Sequence, residues 1–276
     1  MDRIRLIASD MDATLLDEQS QLPADFEETI HALAELGIRF APASGRPLYT
    51  LEELFPALRD ELVFIGDNGG AIRWKGQNLF TSEMSPEGWR ALNRLTREQG
   101  DIAVLCGLES AYVERPFAVH DAVLRHFYTK IEYVDRLEDV AAPADKFTIY
   151  LPQHNAQQAY DTVYASQQSI YSVAVAGECW VDIMNPGVHK GAALQTLGQL
   201  WGLPSESMMA FGDTYNDAEM LQTVRYGFLM ENGSEPLRQK VPFLAPSHRE
   251  AGVMQVLHRV LAQNGCVCPE DFVPAH

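Results

Sequence analysis

Two aspartates stand two residues apart, directly after an apolar segment near the start of the chain. Asp10 and Asp12 follow residues 3–9, whose apolar side chains predict a buried strand. A carboxylate held at the end of a strand can attack phosphorus and form an acyl phosphate, and its neighbour can carry protons to and from the reacting groups. Both supply the hard oxygen ligands that Mg²⁺ prefers. The same residues are equally typical of an aspartate-rich turn that caps the next element.

A second group of polar residues follows the next apolar segment. Ser44 and Gly45 offer a hydroxyl and a main-chain amide that can hold phosphate oxygens. Arg46 adds a planar guanidinium whose shape suits phosphate. Because a Ser-Gly pair is also an ordinary turn, this segment indicates a phosphate site only in combination with others.

Two further segments lie in the last third of the chain. Lys190 begins a predicted helix, where a cation opposes the helix dipole unless an anion is bound nearby. A solvent-exposed lysine is the alternative. Farther on, Asp213 ends a predicted strand, and Asn216 and Asp217 follow within four residues. This spacing allows Asp213 to bind a metal with the other two in support, and an N-cap role for Asn216 or Asp217 is compatible with it.

All four segments occur where a predicted strand meets a predicted helix. Ligands of open α/β sheets bind beyond the carboxyl ends of the strands, so these junctions would meet at one edge of the sheet. Strands that alternate with helices indicate a parallel sheet with crossover helices. The predicted strands cover residues 3–9, 38–43, 62–65, 208–211, 226–230 and 243–245, and the predicted helices cover residues 23–36, 190–201 and 253–261, with a further helix between the second and third strands.

The middle of the chain has a different pattern, in which short strands separated by Gly-containing turns indicate antiparallel hairpins. Its predicted strands cover residues 102–106, 111–114, 146–151, 170–175 and 179–184, and its predicted helices residues 86–98 and 156–165. We therefore predict an α/β fold in which a doubly wound, Rossmann-like parallel sheet carries an inserted α+β domain. Residues 1–81 and 187–276 form the expected catalytic core, called the core below, and residues 82–186 form the insertion, called the cap.

The composition of the 276-residue chain excludes several partners. Its net charge of −17 argues against nucleic acid, whose phosphates are bound by clustered Lys and Arg, and against an anionic membrane surface. No segment approaches the ~18 apolar residues of a membrane span, and the first residues lack the apolar region of a signal peptide. Cys106, Cys179, Cys266 and Cys268 form no CxxC pair, so we expect free thiols in a cytoplasmic protein. A monomer and a small homo-oligomer are both compatible with the sequence.

Taken together and in this order, the four segments resemble the motifs of the haloacid dehalogenase superfamily of aspartate-nucleophile phosphatases. The likeness spans nearly the whole chain and is greatest to the Cof-type branch, whose large cap is inserted between the second and third motifs. Residues 64–70 also resemble the Asn-Gly turn of that branch. Met11 and Ala13 depart from the commonest pattern without removing a functional group. The matching motif residues are Asp10, Asp12, Thr14, Ser44, Lys190, Gly212, Asp213, Asn216 and Asp217.

The resemblance implies a role for each matching residue. Asp10 would be the nucleophile and a Mg²⁺ ligand, and Asp12 would be the general acid/base, with its main-chain carbonyl on the metal. Asp213 would complete the metal site, with Asp217 as a further ligand or a close neighbour. The phosphoryl group would be held by Ser44, Gly45, Lys190 and Asn216.

We therefore expect a Mg²⁺-dependent phosphatase that hydrolyses a small phosphomonoester, such as a sugar phosphate or a phosphorylated cofactor, through an aspartyl phosphate. The cap would close over the site, exclude water and select the leaving group. Two alternatives stay open. A phosphomutase on the same scaffold would pass the phosphoryl group to a second sugar hydroxyl, and a non-catalytic protein would bind a phosphorylated metabolite without turnover.

Several other residues are weaker candidates for the site. His189 adjoins Lys190 and could touch the substrate, whereas His120, His126 and His154 have no metal-ligand spacing. Trp180, Asp182 and Asn185, at the exit of the cap, could line the pocket, although we expect Trp180 in the core of the cap and Asp182 at the surface. A last group of candidates lies on the first hairpin of the cap: Glu109, Tyr112 and Arg115.

Overall fold

The computed structural model describes all residues, 1–276. Its helices are α1 (Phe26–Glu35), α2 (Leu48–Glu53), α3 (Pro86–Gln99), α4 (Asp121–Phe127), α5 (Ala156–Thr162), α6 (Lys190–Trp201), α7 (Ala218–Thr223) and α8 (Gly252–Ala262). The strands of the core are β1 (Asp2–Arg3), β2 (Leu6–Ser9), β3 (Arg39–Pro42), β4 (Val63–Gly66), β5 (Ala71–Trp74), β6 (Gln77–Thr81), β13 (Met208–Gly212), β14 (Tyr226–Met230), β15 (Phe243–Ala245), β16 (Cys266–Val267) and β17 (Val273–Pro274). The strands of the cap are β7 (Ile102–Gly107), β8 (Ala111–Glu114), β9 (Ile131–Val134), β10 (Ala144–Tyr150), β11 (Ser172–Ala176) and β12 (Trp180–Met184).

The main sheet of the core has the order β17-β15-β14-β13-β2-β3. Its first five strands in the chain, β2, β3, β13, β14 and β15, are parallel, and only the short β17 is antiparallel. Alternate side chains of the strands enter two separate apolar clusters, one closed by α1 and α8 and the other by α6 and α7. A parallel sheet covered by helices on both faces is the predicted doubly wound arrangement, so the predicted fold class is confirmed.

The helix and strand bounds differ from the prediction in a few places. The helix expected over residues 23–36 is shorter, and Gly37, with φ +74°, ends it in the left-handed conformation. The hairpin β5–β6 was not predicted, although Lys75 and Gly76 both have positive φ at its turn. Neither α4 nor β9 was predicted, because residues 121–134 are mostly partly exposed and show no clear period.

The sheet of the cap has the order β11-β12-β10-β7-β8-β9 and is antiparallel except where β8 pairs with β9. One face packs on α3 and α5 around Trp89, Phe147 and Ile183. The opposite face is covered partly by α4 and partly by the core. The predicted antiparallel hairpins are therefore present, with β11 beginning at Ser172 rather than at residue 170.

The two chain segments that connect the core to the cap lie side by side. The Asn185 side-chain amide donates to the Ser82 carbonyl at 3.2 Å and to the Glu83 carbonyl at 2.9 Å. This contact joins the entry and the exit of the cap, and we propose residues 1–81 with 187–276, and 82–186, as the two domains. No helix of the chain has the length and apolar character that a membrane crossing requires.

Candidate active site

The carboxyl ends of three neighbouring parallel strands bring the predicted site residues together. Asp10 follows β2, and its main-chain amide donates to the Phe211 carbonyl of β13 at 2.9 Å. Ser44 lies just beyond β3, and Asp213 just beyond β13. Lys190 enters from the first turn of α6, which packs against α7. The site is thus built where the expected edge of the sheet lies.

Lys190 is completely buried between two carboxylates. Its Nζ donates to Asp10 Oδ1 at 2.5 Å and to Asp217 Oδ1 at 2.7 Å. Burial alone would lower the pKa of Lys190, but the two aspartates more than offset this and raise it. The alternative of a solvent-exposed lysine is therefore wrong, and the ammonium is a permanent charge at the centre of the site.

Asp10, Asp213 and Asp217 form a cluster in which one carboxylate oxygen of each lies within 4.8 Å of the others. Burial, followed by repulsion from Asp217, raises the pKa of Asp10 to about 8 against the opposing effect of Lys190. The same two causes raise the pKa of Asp213 to about 6. The three carboxylates would repel one another if all were ionised, so the ionised cluster requires a further cation.

This donor set fits a divalent metal ion. When all three carboxylates are ionised, they and the one ammonium leave two negative charges in a site that is largely buried, and uncompensated buried charge is costly. The donors are hard oxygens, which suit Mg²⁺. Asp10 and Asp213 keep 9% and 8% exposure, so an ion and its remaining water ligands can reach them.

Asp217 also builds the loop that carries Asp213. Its Oδ2 accepts hydrogen bonds from the main-chain amides of Asp213 at 3.0 Å and Thr214 at 3.2 Å. Gly212 permits this close approach, because a Cβ at that position would lie 2.4 Å from the Asp217 Cβ. Asp217 stands at the N-cap position of α7 but makes no capping hydrogen bond to that helix, and its side chain instead closes a capping box with Thr214. This role coexists with the contact to Lys190.

Asp12 lies apart from the carboxylate cluster. Its side chain is 58% exposed and is paired with Arg46, whose guanidinium nitrogen lies 2.8 Å from Oδ1. Ala13, directly after Asp12, has the left-handed conformation, with φ +58°, and turns the chain sharply there. Arg46, predicted as a phosphate ligand, therefore contacts the predicted acid/base in this structure.

The segment after β3 presents free donors. Gly45 N–H makes no hydrogen bond within the protein, and Ser44 Oγ accepts from the Arg46 amide at 3.1 Å, which leaves its own proton available. A Cβ at Gly45 would meet the Asn68 amide at 3.2–3.3 Å, so a larger residue would crowd the turn at 67–69. Because Ser44, Gly45 and Arg46 are the residues predicted to bind phosphate, we call residues 44–46 the phosphate loop.

A cavity of about 600 Å³ opens between the core and the edge strand β11 of the cap. Asn68, His189 and Asn216 line it from the core, and residues 172–175 line it from the cap. Asn216 is exposed, and its side-chain oxygen accepts from Thr214 Oγ1 at 2.6 Å. The cavity is large enough for the leaving group of a small metabolite.

The weaker candidates have mainly structural contacts. His189 Nδ1 accepts from the Ala192 amide at 3.1 Å and so caps α6. The expectation of a surface position for Asp182 is wrong, because it is 4% exposed. Trp180 is half-buried against Tyr150, with ring centroids 4.6 Å apart. The remaining candidates pair elsewhere: Glu109 with Arg73, Arg115 with Asp135, and Tyr112 with the apolar cluster of the cap.

Sequence reasoning missed a second buried ionic cluster, where the cap meets the core. Lys146 of β10 lies 2.9 Å from Asp67 Oδ1 and 3.7 Å from Asp182 Oδ2. Asp145, fully buried, adjoins this cluster. The only signal in the sequence was the alternation in β10, which puts Lys146 and Thr148 on one face, and it did not show that the core covers that face.

Comparison with known proteins identifies relatives of the whole chain. The profile of the haloacid dehalogenase-like hydrolases matches residues 7–257. The 5-amino-6-(5-phospho-D-ribitylamino)uracil phosphatase YbjI of Escherichia coli K12 is 31% identical over 94% of this chain and 96% of its own. The HMP-PP phosphatase of Cronobacter sakazakii is 30% identical over 87% and 89%. A solved structure from Streptococcus mutans UA159 superposes with a TM-score of 0.83 at 29% identity, covering 94% of this chain and 99% of that one.

Proposed function

We propose a reaction for this chain, which belongs to the haloacid dehalogenase-like hydrolase family and is a phosphoric monoester hydrolase. It hydrolyses a small phosphorylated metabolite with Mg²⁺, through an aspartyl phosphate on Asp10. The observation that carries the proposal is Lys190, buried between Asp10 and Asp217, with Asp213 completing an oxygen-only cluster at the carboxyl edge of the sheet. Mg²⁺, held by Asp10, Asp213, Asp217 and the Asp12 carbonyl, would neutralise charge on the transferring phosphoryl group.

In the first step a carboxylate oxygen of Asp10 attacks phosphorus, and the bond from phosphorus to the leaving oxygen breaks. Asp12 gives a proton to that oxygen. Lys190, Ser44 and the Gly45 amide face the negative charge on the phosphoryl oxygens, and stabilisation by such positioned donors is the main source of rate in phosphoryl transfer.

In the second step water attacks the phosphorus of the aspartyl phosphate, and the bond to Asp10 breaks. Asp12, left ionised by the first step, takes the proton of the attacking water and is ready for another cycle. The pairing with Arg46 holds the Asp12 carboxylate in place between the two steps. Inorganic phosphate leaves, and all groups return to their starting protonation.

The substrate is proposed to be a sugar phosphate or a phosphorylated cofactor. Two relatives are named as a 5-amino-6-(5-phospho-D-ribitylamino)uracil phosphatase and an HMP-PP phosphatase. A cavity of about 600 Å³ beside Asn68 and Asn216 suits the leaving group of a small metabolite. A phosphomutase would need a second phosphate site in the cavity, whose lining contains Glu219 and neither Lys nor Arg. The net charge of −17 supports the proposal that nucleic acids and anionic membranes are not partners.

The sharpest test separates Asp10 from Asp12. With 4-nitrophenyl phosphate, Asp12→Asn should give a burst of about one nitrophenolate per site, because this leaving group needs little protonation while the second step lacks its base. The protein mass should rise by one phosphoryl group. Asp10→Asn should give neither burst nor mass increase.

Asp60→Asn, an exposed aspartate outside the site, serves as the matched control and should behave as wild type. A phosphorylated residue other than Asp10 would move the nucleophile there. Wild-type protein that binds phosphate without releasing it from any phosphomonoester would instead support the non-catalytic alternative.

A further inference from the structure

Each carbonyl of the phosphate loop is held by a hydrogen bond. The Ser44 carbonyl accepts from the main-chain N–H of Asn68 at 2.9 Å, and the Arg46 carbonyl accepts from the main-chain N–H of Asp67 at 2.9 Å. Between them, the Gly45 carbonyl accepts from Lys146 Nζ at 2.6 Å. The first two donors belong to the core, whereas the third reaches the loop from the cap.

Lys146 is held in place by the cluster around it. Its side chain is 2% exposed and lies against Asp67 and Asp182. Asp182 in turn accepts from Asn68 at 3.1 Å and from Thr148 at 2.8 Å. The two carboxylates raise the pKa of Lys146, although burial opposes them, so it stays an ammonium.

Stability alone does not account for this cluster. Well-packed apolar residues often stabilise a buried interface as well as an ion pair does, because the charges must lose their water. Apolar side chains would, however, leave the Gly45 carbonyl without a donor. That carbonyl is partly buried, so leaving it without a donor is unfavourable, and a freed peptide can turn toward another donor.

The direction of the Gly45 carbonyl matters for an anion in the site. While the three carbonyls are tied to Asn68, Lys146 and Asp67, the Gly45 amide and the Ser44 hydroxyl remain free to donate. The Gly45 carbonyl shares its peptide plane with the Arg46 N–H, which donates to Ser44 Oγ at 3.1 Å. If this peptide turned, Ser44 Oγ would lose that donor, and a carbonyl dipole in place of the N–H dipole would repel phosphate oxygens. The hydrogen bond from Lys146 of the cap therefore keeps the phosphate loop in the conformation that binds an anion.

We propose that Lys146 is a positioning residue for the phosphate loop, acting from the cap so that the phosphate site is fully formed only when the cap is seated on the core. This inference rests on the proposed function, since it concerns the same phosphate site. Lys146 does not touch the substrate. It acts through the Gly45 carbonyl and gives the cap influence over phosphoryl binding as well as over the choice of leaving group.

The test uses two variants of the full-length protein. Lys146→Met removes the donor but leaves Asp67 and Asp182 unpaired, so it can lose stability for that reason alone. The triple variant Lys146→Met/Asp67→Asn/Asp182→Asn removes the charges together and keeps similar volumes. Lys240→Met, an exposed lysine of the core, is the matched control.

Two constants separate a positioning role from a general loss of structure. In the triple variant we expect the inhibition constant of inorganic phosphate to rise about tenfold, equivalent to about 1.4 kcal/mol. The Mg²⁺ concentration for half-maximal activity should stay unchanged, because the metal cluster has no contact with Lys146. An unchanged phosphate constant in a folded triple variant would overturn the proposal, as would equal losses of phosphate and Mg²⁺ affinity.

A readout without activity separates this proposal from the proposed function. Hydrogen exchange of the Asp67 and Asn68 amides, which bind the phosphate loop, should become about tenfold faster in both variants and stay unchanged in Lys240→Met. If wild type released no phosphate from any monoester, the proposed function would fail, while faster exchange would still support Lys146 as the residue that holds the loop. Unchanged exchange in both variants would refute that role.

Discussion

Two buried lysines of this protein have nearly the same surroundings, and we propose different roles for them. Lys190 lies between Asp10 and Asp217 at 2.5 and 2.7 Å, and Lys146 lies between Asp67 and Asp182 at 2.9 and 3.7 Å. We call these the Lys190 cluster and the Lys146 cluster. The first belongs entirely to the core, whereas the second joins the core to the cap.

The clusters differ in how a third carboxylate is accommodated. In the Lys190 cluster, Asp213 remains 8% exposed and adds an oxygen within reach of a metal. In the Lys146 cluster, the third carboxylate is Asp145, which is completely buried. Burial and then repulsion from Asp67 raise the pKa of Asp145 well above its usual range. Excess negative charge raises carboxyl pKa values in both clusters. We propose that a metal ion compensates it in the more open Lys190 cluster and a proton in the fully buried Lys146 cluster.

The largest expected difference between the clusters is catalytic. Lys190→Met should lower kcat/KM by at least about 10³-fold, because it removes the ammonium beside the nucleophile and leaves two carboxylates unpaired. The triple variant of the Lys146 cluster should lower it by only about tenfold, because its effect passes through one hydrogen bond. Steady-state kinetics with 4-nitrophenyl phosphate measure both. Equal losses would mean that Lys146 contributes directly to the chemistry.

The second difference concerns the metal. EDTA should abolish turnover and Mg²⁺ should restore it. Asp213→Asn should raise the Mg²⁺ concentration for half-maximal activity by at least about tenfold, because an amide oxygen replaces an anionic ligand. Asp182→Asn is the matched change in the Lys146 cluster and should leave the Mg²⁺ concentration for half-maximal activity unaltered. Full activity in EDTA, or an equal Mg²⁺ requirement in both variants, would contradict the assignment of the metal to the Lys190 cluster.

The contrast between the clusters also explains what the sequence could predict. Lys190, Asp213 and Asp217 were found because they follow strand ends or begin helices, and those positions meet at one edge of a parallel sheet whatever the details of packing. The parallel sheet of the core followed from the same alternation, whereas the order of its strands was not predicted. The close contact of Asp217 with Gly212 was not foreseen, since it depends on loop geometry rather than on spacing.

The Lys146 cluster could not be predicted in the same way. A lysine and a threonine on alternate positions of β10 are typical of a solvent-exposed strand face, and Asp182 on β12 gave the same false indication. Only the seating of that face on residues 44–46 and 67–69 of the core buries it. Local periodicity carries no information about such a contact between two domains.

The smallest expected effect is on thermal stability, and it tests whether Asp145 of the Lys146 cluster is protonated. A carboxyl whose pKa is higher in the folded than in the unfolded state favours folding when protonated, and its contribution is lost as pH rises above the unfolded value of about 4. The charged groups around Asp145 are Asp67, which raises its pKa, and Lys146, which lowers it less than burial and Asp67 raise it. Asp145→Asn is neutral at every pH.

Asp145→Asn should therefore have a melting temperature a few degrees above wild type at pH 8, with a smaller difference at pH 5. Calorimetry at the two pH values, in EDTA to remove any metal contribution, measures this. Asp135→Asn, an exposed aspartate of the cap, is the matched control and should show little change. A lower melting temperature for Asp145→Asn at pH 8 would mean that Asp145 is ionised in the folded protein. The Lys146 cluster would then hold the same excess negative charge as the Lys190 cluster without a metal ion. The two clusters would differ in their exposure to solvent and not in protonation.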